Sequence, residues 1–244
     1  MAADPFTWSA GPRRAAGVDA RDVAFDAGLR SYMLSVYNYM AAGVLWTGIV
    51  AWLFASSGHA ATILGGPGIL KWLIILAPLG FVMALSFGLH RISTGTAQLL
   101  YWLFATTMGL SMASIFLVFT GESIAQAFFA TAAGFLGLSL YGYTTKRDLS
   151  ALGTFLIMGV IGLLVAMIIN LFMQSNTMIL VISFIGVLLF AGLTAYDTQR
   201  IKSLYFQVAG SDVMGKSAIM GALSLYLDFI NLFTFLLHFM GRRE

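Results

Sequence analysis

The chain has 244 residues, of which 59% are hydrophobic and only 9% charged, with no cysteine and a formal net charge of +3. A soluble domain carries roughly 25% charged residues, so this one cannot cover a water-facing surface, and lipid is its main solvent. The missing cysteine excludes disulfides, thiolate metal sites and cysteine nucleophiles within the chain. The basic residues lie between apolar runs, which points to membrane orientation and away from nucleic-acid binding.

Met1 to Arg30 is polar, with Arg13, Arg14, Arg21 and Arg30 set against Asp4, Asp19, Asp22 and Asp26. It lacks the short apolar core and small-residue cleavage site of a secretory signal. Residues 1–34 read as a partly disordered polar tail, ending in a short amphipathic helix on the membrane. Residues 35–244 read as one transmembrane domain. Seven apolar runs follow one another, at Ser35 to Ala55, Leu70 to Leu89, Gln98 to Phe119, Ser123 to Tyr143, Leu152 to Met173, Thr177 to Tyr196 and Ala218 to Met240. Each approaches the ~20 residues that a spanning helix needs, and none alternates as a barrel strand would. The expected fold is an all-α integral membrane bundle of seven helices, with Ser56 to Ile69 as an uncharged, glycine-rich connection and Asp197 to Ser217 as a polar one.

Ten basic residues fall on one side: the four tail arginines, Arg91, Lys146, Arg147, Arg200, Lys202 and Lys216. Lys71, Arg242 and Arg243 fall on the other. The positive-inside rule makes the N-terminus cytoplasmic. Seven full spans put the C-terminus outside, and a re-entrant last segment is the alternative. The glycines within the spans, among them Gly134, Gly137, Gly153, Gly159, Gly162, Gly186 and Gly192, read as close-packing positions.

Ionisable residues within spans carry the functional information. Asp228 lies near the middle of the seventh run, where an aspartate costs about 2.5–3.5 kcal/mol on insertion scales. It needs a partner or a proton. Asp197 closes the sixth run. It reads either as an interfacial residue paired with Arg200 or Lys202, or as a neighbour of Asp228 if water or a bend brings the two level. Two carboxylates held close share one proton, because the first charge disfavours the second. Such a pair can sense pH, and when ionised it offers the hard oxygens that suit calcium. Arg91, after the second run, reads either as a membrane anchor or as a fork that holds carboxylates. His90 reads as interfacial, His59 and His238 as isolated, and Glu122 as a solvated turn residue. Lys146-Arg147-Asp148 reads as an anchor, with Asp148 or Ser150 capping the fifth span. No GxSxG, HExxH or phosphate-loop pattern occurs, nor the GxGD context of intramembrane aspartyl proteases, so no enzyme and no cofactor is expected.

Three segments in order resemble the Bax inhibitor-1 (transmembrane Bax inhibitor motif) family, bacterial inner-membrane branch. They are Tyr141-Gly-Tyr-Thr-Thr-Lys-Arg-Asp-Leu-Ser, Phe190-Ala-Gly-Leu-Thr-Ala-Tyr-Asp-Thr-Gln-Arg-Ile-Lys and Leu223-Ser-Leu-Tyr-Leu-Asp-Phe-Ile-Asn-Leu-Phe. The resemblance implies a seven-helix bundle with the last helix central, in a bacterial inner membrane. It also implies a pH-sensitive calcium leak in which Asp197 and Asp228 share hydrogen bonds and Arg91 pairs with one of them. On that basis Asp197, Asp228 and Arg91 are the expected pH sensor and gate, and Asp197 and Asp228 the expected calcium contacts. The alternative is a regulator of a membrane-bound AAA protease, or of a stress or cell-death pathway, recognised through the tail. A proton-coupled transporter would need a substrate pocket, and no span reads as broken at a paired glycine or proline to suggest one.

Overall fold

The computed structural model describes residues 15–88 and 91–242, with side chains from Asp26 onward. The helices are α1 (Ala15–Ser56), α2 (His59–Gly65), α3 (Ile69–Gly88), α4 (Thr94–Met112), α5 (Ile115–Val118), α6 (Gly121–Thr144), α7 (Ser150–Met173), α8 (Asn176–Val208) and α9 (Met214–Met240). Seven spans are long and apolar enough to cross a membrane, taking α4 with α5 as one and α1 from Asp26. The protein is an all-α membrane bundle.

Local chemistry marks the helix starts. Ser93, Thr120 and Ser175 each cap a helix, accepting the amides of Thr96, Ser123 and Met178 on their hydroxyls. These caps satisfy backbone donors that the first turn leaves free. At the α7–α8 turn Gln174 adopts φ 50°, a left-handed C-cap in a residue with a side chain. Three elements differ from expectation. α1 runs unbroken from Ala15 to Ser56, with no separate surface helix ahead of residue 35. The Gly-rich connection after α1 contains the short helix α2, with Ala60 and Leu64 buried. The helix of the sixth span does not stop at Tyr196 but runs on to Val208, which shortens the expected polar connection to residues 209–213. It continues because Asp197, Thr198, Ile201 and Tyr205 lie on one buried face at helical spacing.

The bundle is concentric. In α9, 67% of the most apolar window is buried, against 44% in α8 and 11% in α3 and α7. The most apolar span, α7, is among the least buried, as expected where the outer solvent is lipid and not water. The last helix is therefore the centre, with α8 along its flank. One end of the bundle carries the α3–α4 turn, the α6–α7 loop and the α8–α9 loop, and is called the basic end below. The opposite end carries the α7–α8 turn. There the segment after α9 is stitched to α6: the Arg242 amide donates to Ser123 Oγ at 2.9 Å, and the Thr120 amide donates to the Arg242 carbonyl at 3.2 Å. The last span thus crosses fully and does not fold back.

The glycines sort into two kinds. Gly134, Gly137 and Gly162 have nothing within 4 Å of where a Cβ would stand, whereas Gly142 lies against the backbone of Ala195. A backbone carbonyl cannot move aside as a side chain can. Gly142→Ala is expected to push α6 off α8 and cost about 1–3 kcal/mol. Thermal unfolding in detergent checks this, with Gly134→Ala as the comparison that leaves the midpoint near wild type.

Candidate functional site

Asp228 sits close to the midpoint of α9 and is 4% exposed. Among the described residues its Oδ2 is fully buried with no hydrogen-bond partner. The charges that reach it are those of Asp197 and, with opposite sign, Arg200. Asp197 is also buried, and its Oδ1 accepts from Arg200 Nη1 at 3.4 Å, one turn further along the same helix. The Arg200 side chain is 55% exposed, so the cation faces outward while the carboxylate faces in.

The depth of Asp197 follows from helix register. Ile201 packs on Gly221, and Phe235 lies over Gly186. Phe184 meets Phe239, with ring centroids 6.1 Å apart. These three pairings set Thr194 level with Asp228 and Asp197 level with Leu225. The two acids are then three residues apart along the antiparallel pair, about 4.5 Å of helix rise. α8 begins several residues beyond the end of α9, so a position late in α8 still faces the middle of α9. Hydroxyls line the same face of α8: Thr198 donates to the Thr194 carbonyl at 2.8 Å and lies 3.3 Å from Ser139 Oγ of α6.

Arg91 stands elsewhere. It is exposed in the turn after α3, its amide donating to the Gly88 carbonyl at 2.8 Å. No side-chain hydrogen bond or ion pair of Arg91 occurs among the described residues. That turn is docked on the first turns of α9: Lys216 Nζ donates to the Ile92 carbonyl at 3.0 Å, and Thr94 lies beside Gly215. Gly215 precedes the level of Asp197 by ten residues of α9, about 15 Å. The counter-ion of Asp197 in this structure is Arg200. His90 lies outside the described residues. Glu122 is an exposed first-turn residue of α6 that accepts from Gln126 at 3.0 Å. Asp148 Oδ1 accepts the Ser150 amide at 2.9 Å, and hydrogen bonds from the Ser150 side chain and then its backbone hold that carboxyl below the ordinary range. No group of three or more His, Cys, Asp or Glu that could hold a metal occurs among the described residues. Two carboxylates fall well short of the six to eight oxygens of a calcium cage.

Beside Asp197, sequence reasoning passed over Gln199 and read Lys202 only as an alternative to Arg200 in pairing with the acid. Gln199 grips the α6–α7 loop twice, donating to the Arg147 carbonyl at 2.8 Å and accepting the Leu149 amide at 2.9 Å. Lys202 donates to the Tyr143 carbonyl at 2.8 Å in the last turn of α6, with its ammonium 4.7 Å from the centre of the Tyr143 ring. A cation at the C-terminal end of a helix meets carbonyls that have no partner within it. The segment from Asp197 to Lys202 therefore joins the acid pair to the α6–α7 loop. The signal was available: the buried positions 197, 198, 201 and 205 leave 199 and 202 on an adjoining face.

The sequence family described as "Inhibitor of apoptosis-promoting Bax1" matches residues 29–244, which takes in both acids, six whole spans and all but the first three residues of the other. The chain belongs to the Bax inhibitor-1 family. Relatives agree along nearly their whole length. A Rickettsia prowazekii protein, RP147, is 44% identical over 226 residues, covering 92% of this chain and 95% of its own. A Caulobacter vibrioides protein is 43% identical over 240 residues, covering 95% and 96%. The Escherichia coli "Inner membrane protein YbhL" is 43% identical over 220 residues, covering 89% and 94%.

Gln199→Ala is expected to release the α6–α7 loop while leaving the bundle folded. Two hydrogen bonds at ~1 kcal/mol each set the scale of the loss. Hydrogen exchange of the Leu149 amide should quicken, with protection in α9 unchanged.

Proposed function

We propose that this Bax inhibitor-1 family member is a pH-sensitive calcium leak of the bacterial inner membrane, with its basic end in the cytoplasm. The observation that carries the reading is Asp228, a carboxylate in the central helix with a buried, unpartnered oxygen and a second acid one turn away. A stable fold gains nothing from such a group, since an unmet buried acceptor costs its full desolvation. Intramembrane acids of this kind mark ion and proton paths. Family membership supports the leak activity, and the name of the E. coli relative supports the inner membrane. The excess of lysine and arginine at the basic end supports the orientation.

The gate works through charge. With Asp197 ionised, Arg200 is held against it and the α8 segment stays tied to the α6–α7 loop through Gln199. Protonation of the pair removes that attraction, α8 loosens against α9, and calcium passes down its gradient. The two carboxylates supply transient oxygen contacts beside the hydroxyls of Thr194 and Thr198, with water making up the shell. So sparse a site lets the ion leave as readily as it enters. Arg91 takes the latch role in place of Arg200 if the α3–α4 turn swings towards Asp197.

Calcium flux into proteoliposomes, followed across pH, tests this. Asp228→Asn is expected to flatten the pH profile. Arg200→Gln is expected to raise the leak at neutral pH, because Asp197 loses its restraint. If Arg91→Gln raises it and Arg200→Gln does not, the latch is Arg91. Identical leaks from wild type and Asp228→Asn at every pH would remove the acid pair from the mechanism.

One observation favours a second reading, as regulator of a membrane-bound AAA protease or of a stress or cell-death pathway. α1 starts at Ala15, and its first residues include Asp19, Arg21 and Asp22, so the helix opens on a charged segment. Deleting residues 1–25 separates the readings. Loss of a co-purifying protease with calcium flux unchanged would favour regulation, and unchanged co-purification would count against it.

A further inference from the structure

α1 and α6 both pack on α9, yet among the described residues they scarcely meet each other. At the basic end a hollow of about 390 Å³ opens between them, with Arg30, Leu34 and Tyr37 on the α1 side and Leu136, Leu140 and Tyr143 on the α6 side. Towards the opposite end a second hollow, of about 280 Å³, has Val44 and Ala51 of α1 and Ala125 and Phe129 of α6 in its wall, with Phe229 of α9 behind them. The two hollows lie on one line. Arg30, Leu34, Tyr37, Val44, Gly48 and Ala51 repeat at helical spacing along one face of α1, and Gly121, Ala125, Phe128, Leu136, Ser139 and Tyr143 do the same along α6. The helices run antiparallel, so Ala41 and Ala132 are the members of these stripes that fall between the hollows. Ala41 is exposed and Ala132 half-buried. No bulky side chain on either stripe divides the furrow there. At the far end the short helix α5 packs on both α1 and α6, with Ile115 and Phe116 in the wall.

The depth of the furrow fits one leaflet. The headgroup region is about 5–7 Å deep on each side of a bilayer, and the hydrocarbon of one leaflet about 15 Å. Four residues of helix separate Arg30 from Leu34, about 6 Å, and ten separate Leu34 from Val44, about 15 Å. With the Arg30 guanidinium at phosphate depth, the middle of the bilayer falls at Val44, where the second hollow begins. Tyr37 and Tyr143 then stand near the headgroup boundary, where amphipathic rings collect. Lys202 brings a second cation to this end. Its ammonium lies 4.7 Å from the centre of the Tyr143 ring, and its bond to the Tyr143 carbonyl uses one of its three donors.

We propose that the furrow between α1 and α6 is a binding site for one anionic phospholipid of the leaflet at the basic end, with its phosphate on Arg30 and Lys202 and one acyl chain running past Ala41 and Ala132 towards Phe129. Water finds few partners along such walls, so hydrocarbon is the occupant. The cations at the basic end and the α5 closure at the other fit a chain that enters and stops, and not a partner helix that crosses. Basic pockets between spans recognise anionic headgroups in the same way.

Native mass spectrometry of the full chain, extracted in mild detergent from vesicles of equal phosphatidylglycerol and phosphatidylcholine, tests this. The wild type is expected to retain one phosphatidylglycerol. Arg30→Gln is expected to lower that retention about fivefold, the scale of one arginine at an anionic headgroup. Ala41→Leu combined with Ala132→Leu fills the furrow and is expected to lower it at least as far. Gly162→Leu adds similar bulk at an exposed position of α7, with nothing within 4 Å of its Cβ, and should retain the lipid as the wild type does. If the double variant does not purify, a phosphatidylglycerol with a photoactivatable diazirine near the end of one chain reads the site in the wild type. Its adducts are expected between Val44 and Ala51 and between Ile124 and Phe129. Equal retention of the two lipids, equal retention by every variant, adducts spread over the lipid-facing sides of α3 and α7, or a lipid-free dimer joined along this furrow overturns the proposal.

Discussion

A carboxylate in the central helix of a lipid-embedded bundle is the constraint on which this structure depends. Lipid neither solvates charge nor offers hydrogen bonds, so the polar groups of the spans must turn inward. The concentric layout follows. The apolar faces of α3 and α7 meet the bilayer, and α9 with Asp228 is wrapped by the rest. α8 supplies the other charged groups that reach Asp228, with Asp197 inward and Arg200 outward on a single helix.

Hydropathy made the bundle legible. Seven runs of about the right length, with charge confined between them, permit few other folds, and the seven spans stand in the structure as hydropathy predicts, with the last helix central as the family resemblance implies. Two elements were hidden for one reason: helices do not end where hydropathy does. α8 carries on past Asp197 because Ile201 and Tyr205 still have a core to enter. α2 forms among glycines because Ala60 and Leu64 find a pocket against Ala113.

Of the site, the acids were legible and their relation was not. A lone aspartate in a hydrophobic run announces itself by its insertion cost. The level of Asp197 depends on how far α8 starts beyond the end of α9, and that offset is set by the α7–α8 turn and by glycine–side-chain contacts such as Gly186 with Phe235 and Gly221 with Ile201. No local pattern shows such pairings. Arg91 drew attention as a cation beside the second span, yet its turn is held at the start of α9 by Lys216 and Thr94. Arg200 stands one turn from Asp197 on the same helix, where little chain entropy opposes the contact. Gln199 and Lys202 sit in the same six-residue segment and fasten it to α6 and the following loop. A change of charge at Asp197 therefore has a mechanical connection to the surface of the bundle.

The central claim is that Asp197 and Asp228 behave as one titrating unit. Infrared spectroscopy of protein with isotope-labelled aspartate carboxyls reads this directly across a pH series, with Asp197→Asn and Asp228→Asn assigning the bands. The account predicts that the two carboxyls exchange protons over a common pH interval and that Asp197→Asn displaces the transition of Asp228. An Asp228 band that titrates identically with and without the Asp197 carboxyl would contradict it.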